Sequence, residues 1–78
     1  MNLENKCLSK GYTISKLRGS IYSNIEFAAF KGNLVILFLH ERSKNISMWE
    51  KYYRDVHPNH RLYTKLLTDM EKEQYVNK

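Results

Sequence analysis

The chain has 78 residues, a formal net charge of +5 and one cysteine, Cys7. This length predicts one domain, residues 1–78, near the lower limit at which an apolar core is stable without disulfides or metals. A single cysteine excludes an intramolecular disulfide and a zinc site built from several cysteines, which favours a reducing, cytoplasmic location. The polar N-terminus lacks the apolar segment of a signal peptide, and no apolar run approaches the roughly 20 residues that cross a bilayer. We therefore expect no membrane partner.

The positive charge is concentrated in the first half of the chain. Before Ser47, seven basic residues face three acidic ones, whereas from Ser47 onward six face five. A basic excess attracts nucleic acids, acidic proteins and anionic lipids, so it ranks partner classes without selecting one. The lysine- and asparagine-rich composition is typical of an AT-rich genome, which favours a bacterial or viral source, including a phage or mobile element.

The N-terminal segment predicts a short helix followed by a strand. Residues 2–10 place apolar side chains on one side of one or two helical turns, and Gly11 follows where a left-handed helix terminus is expected. Residues 12–17 are rich in β-branched and aromatic residues and alternate between apolar and polar side chains. This alternation predicts a half-buried strand.

An unbroken apolar run, Leu34 to Leu39, is the main structural signal in the sequence. A short run without alternation predicts a strand covered on both faces, here over residues 34–40. A second strand is expected over residues 24–30. The short linker between the two strands contains Gly32, which tolerates a positive φ, so the two strands are expected to form a hairpin. With the first strand, these segments predict a three-stranded antiparallel meander.

The second half of the chain predicts two helices that cover this sheet. The first is expected over residues 47–56, with Ser47 and Glu50 forming a capping box and Pro58 ending the helix. The second is expected over residues 60–74, capped by Asn59. Its apolar stripe at helical spacing comprises Leu62, Tyr63, Leu66, Leu67 and Met70. The predicted fold class is therefore α+β.

Basic residues interleaved with aromatic residues favour nucleic acid as the partner. On a sheet face that no helix covers, cations would contact phosphates and aromatic rings would stack on bases. The expected phosphate contacts are Lys10, Lys16, Arg18, Lys31, Arg42 and Lys44, with Tyr12 and Tyr22 as the stacking residues. The leading hypothesis is a small, basic, non-enzymatic protein that binds nucleic acid or a nucleoprotein complex.

An aromatic helix face supports a competing hypothesis. Trp49, Tyr52 and Tyr53 lie close together on the first predicted helix, and aromatic clusters of this kind dominate the binding energy of many protein interfaces. A helix this short cannot bury all three rings equally. The alternative function is therefore a protein-interaction module, or an inhibitor of a larger nucleic-acid-processing protein, and a homodimer is left open.

Catalysis and metal binding are the least favoured classes. His57 and His60 are three residues apart, but Pro58 disrupts the helix that would hold both on one face for a zinc ion. A hydrolase built on His40, Glu41, Glu26 and Lys44 is the third hypothesis, although the spacing does not match a nuclease site. We expect no catalytic residues, no metal site and no cofactor.

Overall fold

The computed structural model describes residues 3–17 and 26–71. The elements in chain order are α1 (Leu3–Ser9), β1 (Thr13–Lys16), β2 (Phe27–Lys31), β3 (Leu34–His40), α2 (Ile46–Val56) and β4 (Arg61–Leu67). The strands form one sheet in the order β1-β2-β3-β4. The first three strands are an antiparallel meander, whereas β4 runs parallel to β3. The fold is α+β as predicted, and no helix within the described residues is long and apolar enough to span a membrane.

The apolar run forms β3, an inner strand of the sheet. It pairs with β2 along one edge and with β4 along the other. Val35, Leu37 and Leu39 are fully buried on one face, while Phe38 on the opposite face is 5% exposed. The prediction of a strand covered on both faces is therefore confirmed.

Each face of the sheet is covered by a different helix. On one face, which we call the α2 face, Tyr53 of α2 packs in a cluster with Leu37 and Leu39, and Trp49 borders this cluster. On the opposite face, which we call the α1 face, Cys7 of α1 packs in a cluster with the stacked rings of Phe27 and Phe38. One helix from each half of the chain thus covers the sheet, in place of the two C-terminal helices expected.

The second predicted helix, over residues 60–74, is wrong because residues 61–67 form β4. Leu62 and Leu66 also fit a period of two, although the full apolar stripe favours a helix. The free edge of β3 decides in favour of the strand, since β3 pairs with β4 along seven residues and a buried strand needs partners for its backbone groups. Asn59 caps no helix, and among the described residues of this predicted range helical geometry is present only at residues 69–71.

The local signals were partly correct. Gly11 and Gly32 both adopt positive φ, at 89° and 58°, as their predicted turns require. The capping box is wrong, because α2 begins at Ile46 after Asn45. Glu50 instead accepts a 2.7 Å hydrogen bond from the Thr64 hydroxyl of β4, which fixes α2 to the last strand.

The remaining boundaries differ by a few residues. The predicted strand begins at residue 24, whereas β2 begins at Phe27. Residues 24 and 25 lie outside the described part of the chain. The helix α2 ends at Val56, two residues before Pro58, in agreement with the prediction.

Truncating the core beneath α2 tests this packing. We expect Leu37→Ala to lower the free energy of unfolding by about 2–5 kcal/mol, because it removes a fully buried side chain and leaves a cavity. Leu8→Ala is the matched control, since Leu8 is 52% exposed and its truncation should cost less than about 0.5 kcal/mol. Urea unfolding followed by circular dichroism measures both values. Equal losses for the two variants would contradict the assignment of the core.

Candidate nucleic-acid interface

An open groove lies on the α1 face beside the short N-terminal helix. It has a volume of about 280 Å³. Its floor is formed by Cys7, Tyr12, Ile36 and Phe38, and Leu3 also borders it. The groove exists because α1 has only seven residues and so covers only part of its face.

Lysines surround this apolar floor. Lys6 and Lys10 belong to α1 and the turn after it, while Lys65 belongs to β4, so that cations flank the groove from two elements. Among the described residues that line the groove, none is acidic. An anionic ligand would therefore meet positive charge on both sides and an apolar surface between them.

The same surface continues along β4. Residues 61, 63, 65 and 67 alternate onto the α1 face, since Leu67 packs in its cluster and Lys65 lines its groove. Arg61 and Tyr63 therefore share that face, and Tyr63 is 55% exposed. We call this surface the basic face; it comprises Lys6, Lys10, Tyr12, Arg61, Tyr63 and Lys65.

The β2–β3 turn adds a further cation next to the groove. The Lys31 ammonium donates a 2.8 Å hydrogen bond to the Lys10 carbonyl oxygen. It also lies 5.4 Å from the centroid of the Tyr12 ring, within the range of a cation–π interaction. Three predicted site residues, Lys10, Tyr12 and Lys31, are thus brought together at one end of the sheet.

Other predicted phosphate contacts lie elsewhere or are already paired. Lys16 forms a 3.1 Å ion pair with Glu4 of α1. Arg42 follows β3 at the far end of the sheet and pairs with Asp69 at 3.0 Å. Lys44 is exposed in the turn before α2. Arg18 and Tyr22 lie outside the described residues, so the structure does not place them.

Four residues of the basic face were missed by the sequence analysis: Lys6, Arg61, Tyr63 and Lys65. The last three alternate with residues of the α2 face at a period of two, which is the spacing that places cations and a ring on one side of a strand. This alternation is present in the sequence, but the segment is predicted to form a helix.

Cys7 contributes an apolar wall and not a reactive thiolate. Burial raises the pKa of the Cys7 thiol, and the positive charges of Lys10 and Lys6 oppose this effect only in part. The thiol is therefore protonated at neutral pH, and a protonated thiol is a poor nucleophile.

His40 has a structural environment at the far end of the sheet. Its side chain is buried, and its Nδ1 accepts a 3.1 Å hydrogen bond from the backbone N–H of Arg42. Its Nε2 therefore carries the hydrogen and donates it to Asp69 at 2.8 Å. These contacts connect the end of β3 with the segment that follows β4.

The predicted aromatic trio of α2 is divided between core and surface. Tyr53 is 8% exposed, and burial raises its pKa although a hydrogen bond with Ser15 opposes this shift. Trp49 is half-buried, whereas Tyr52 is 47% exposed. Met48 and Val56 lie four residues on either side of Tyr52 and are also exposed, so α2 carries an apolar stripe on its outer surface.

The histidine pair lies beyond α2. The rings of His57 and His60 have centroids 4.7 Å apart. Within the described ranges, no group of three or more histidine, cysteine, aspartate or glutamate side chains is placed to hold a metal ion.

No family model, curated protein or solved structure matches this chain.

Proposed function

We propose that this protein binds single-stranded nucleic acid on its basic face, without catalysing a reaction. The observation that carries the proposal is the groove, in which Lys6, Lys10 and Lys65 surround an apolar floor with no acidic side chain among its described lining residues. A nucleic-acid strand offers the matching chemistry, since its phosphates are anionic and the faces of its bases are apolar.

The arrangement of the cations favours a nucleic-acid strand that lies between α1 and β4. Lys6 and Lys10 would contact phosphates on one side, and Arg61 and Lys65 would contact them on the other. Arginine and lysine contacts of this kind supply affinity without regard to sequence. Lys31, next to Lys10, would extend the positive surface at the end of the groove.

The aromatic residues favour a single strand over a duplex. Bases in a duplex are stacked on each other, so their faces are not accessible to a ring on a protein surface. Tyr63 is the more open of the two tyrosines, with 55% of its surface exposed, whereas the Lys31 ammonium lies over Tyr12. Tyr63 is therefore the main stacking residue in this proposal.

We propose a cytoplasmic location for this activity, which the single, unpaired cysteine supports. A second copy of the chain is a further proposed partner, and the outer edge of β4 is where it would bind.

A second candidate function uses the apolar stripe of α2, Met48, Tyr52 and Val56, to bind a protein. The three side chains are each about half exposed, at 54%, 47% and 51%. Exposed tyrosine and methionine side chains are enriched in protein interfaces. This candidate includes the inhibition of a nucleic-acid-processing protein.

Removing the lysines of the groove should weaken binding and its salt dependence together. Combined Lys6→Gln, Lys10→Gln and Lys65→Gln should lower the slope of log affinity against log salt by roughly 2, since each phosphate contact on a single strand contributes about 0.7. Fluorescence anisotropy with a labelled oligothymidylate and an RNA of equal length, at several salt concentrations, measures the slope.

The matched control removes equal charge from another surface. This control combines Lys44→Gln, Lys51→Gln and Arg54→Gln. All three original side chains are exposed, and Lys51 and Arg54 belong to α2. We expect this variant to retain most of the affinity. Equal losses in both triple variants would reject a specific site on the basic face, and absence of binding by the unmodified protein would reject the function.

Truncating the exposed ring of β4 separates stacking from charge. Tyr63→Ala should weaken binding of a single strand by about 1–3 kcal/mol, the range for loss of one stacked base, without changing the salt slope. Tyr52→Ala, on α2, is the control and should bind as the unmodified protein does. An unchanged affinity of Tyr63→Ala would exclude Tyr63 as a stacking residue.

The α2 candidate predicts the opposite pattern. In a pull-down from nuclease-treated lysate, Tyr52→Ala should lose a partner protein that Tyr63→Ala retains, because Tyr52 is the exposed ring of α2. Mass spectrometry of the captured proteins compares the two variants. A partner retained by both variants would contradict the use of this stripe.

A further inference from the structure

The outer edge of β4 is free within the described part of the chain. Among the described strands, β4 lies at the end of the sheet and pairs only with β3. It has seven residues, whereas β1 at the opposite edge has four. A long strand with a free edge presents a row of unpaired backbone groups, which is a template for another strand.

The hydrogen bonds of β4 identify the backbone groups that point outward. The Arg61 N–H donates to the Asn33 carbonyl oxygen at 2.7 Å, and the Leu67 carbonyl oxygen accepts from the Glu41 N–H at 2.9 Å. At both ends of β4, an odd-numbered residue thus forms the backbone hydrogen bond on the side of β3. Because backbone direction alternates along a strand, the N–H and C=O groups of residues 62, 64 and 66 point away from the sheet.

We propose that a second copy of this chain binds at this edge, with the two β4 strands antiparallel and related by a two-fold axis at Thr64. This register places Leu62 opposite the partner's Leu66 and Thr64 opposite the partner's Thr64. The backbone N–H and C=O groups of both residues in each pair point away from their own sheet and toward the partner. The two strands therefore exchange about six backbone hydrogen bonds. A two-fold axis closes the assembly as a dimer and leaves no free copy of this edge.

The side chains of this register are complementary to themselves. On the α2 face, Leu62 and the partner's Leu66 form an apolar cross-strand pair, and Leu66 is 46% exposed in the single chain. On the basic face, Tyr63 lies opposite the partner's Lys65, so each of these lysines faces an uncharged cross-strand neighbour. No two like charges lie directly opposite each other in this pairing.

Three exposed apolar side chains belong to β4 or to the segment that follows it. Tyr63 and Leu66 belong to β4, and Met70 lies three residues beyond its end with 71% of its surface exposed. A second copy would cover part of this surface, which favours the dimer over a solvated edge.

The pairing would join the two sheets into one sheet of eight strands. Residues that face each other across antiparallel strands point to the same side, so both basic faces lie on one side and both α2 helices on the other. The partner's Tyr63 and Lys65 would then extend the basic face across the two-fold axis. This extension of the binding surface rests on the proposed function, whereas the dimer itself does not.

Sedimentation equilibrium without nucleic acid, over a wide range of protein concentrations, tests the dimer independently of nucleic-acid binding. The unmodified protein should show a monomer–dimer equilibrium. Leu66→Pro should be monomeric, because it removes an outward N–H and leaves the bonds to β3 intact. Leu66→Val, which keeps the backbone groups and an apolar side chain, should still dimerise. A protein that is monomeric at all concentrations, or a dimer that persists in Leu66→Pro, would overturn the proposal.

A cross-link decides the case in which Leu66→Pro does not fold, as judged by circular dichroism. Thr64→Cys should form a covalent dimer with a short bis-maleimide cross-linker, because the two residues of a hydrogen-bonded antiparallel pair have Cα atoms about 5.5 Å apart. Thr13→Cys, on the opposite edge, is the matched control, and the unmodified protein with its buried Cys7 gives the background. Equal cross-linking of Thr64→Cys and Thr13→Cys would overturn the proposal.

Discussion

The burial of β3 on both faces is the constraint on which the rest of the fold depends. A strand whose side chains are apolar in both directions needs cover above and below it, and a strand on each side for its backbone groups. The chain supplies β2 and β4 at the edges, α2 on one face and α1 on the other. These four elements can thus be explained by the part of β3 that each removes from water.

Unequal cover of the two faces produces the candidate binding surface. α2 has eleven residues and covers its face with Trp49 and Tyr53, whereas α1 has seven and leaves Ile36 half-buried. The open area beside α1 is bordered by lysines on both sides. We propose that this apolar floor between cations binds a ligand that is both anionic and aromatic.

The sequence predicted the elements that depend on local signals and failed where a tertiary contact decided the outcome. The strand over residues 34–40, the glycine turns and the end of α2 before Pro58 all follow from nearby residues. The apolar residues within 61–67 favour a helix, and the free edge of β3 overrides this pattern by pairing with the segment as a strand. The predicted site is incomplete for the same reason, because Lys65 lines the groove with Lys10 and Tyr12 only when this segment is extended.

The parallel pairing of β3 and β4 has a consequence for the order of folding. The meander of β1, β2 and β3 is made by contacts between segments close in the chain, whereas β4 reaches β3 only after α2 has crossed the sheet. Closing that longer connection costs more entropy, so β4 docks late. During synthesis on the ribosome, the most hydrophobic strand therefore stays unpaired along one edge until the last strand emerges, and aggregation competes with folding in that interval.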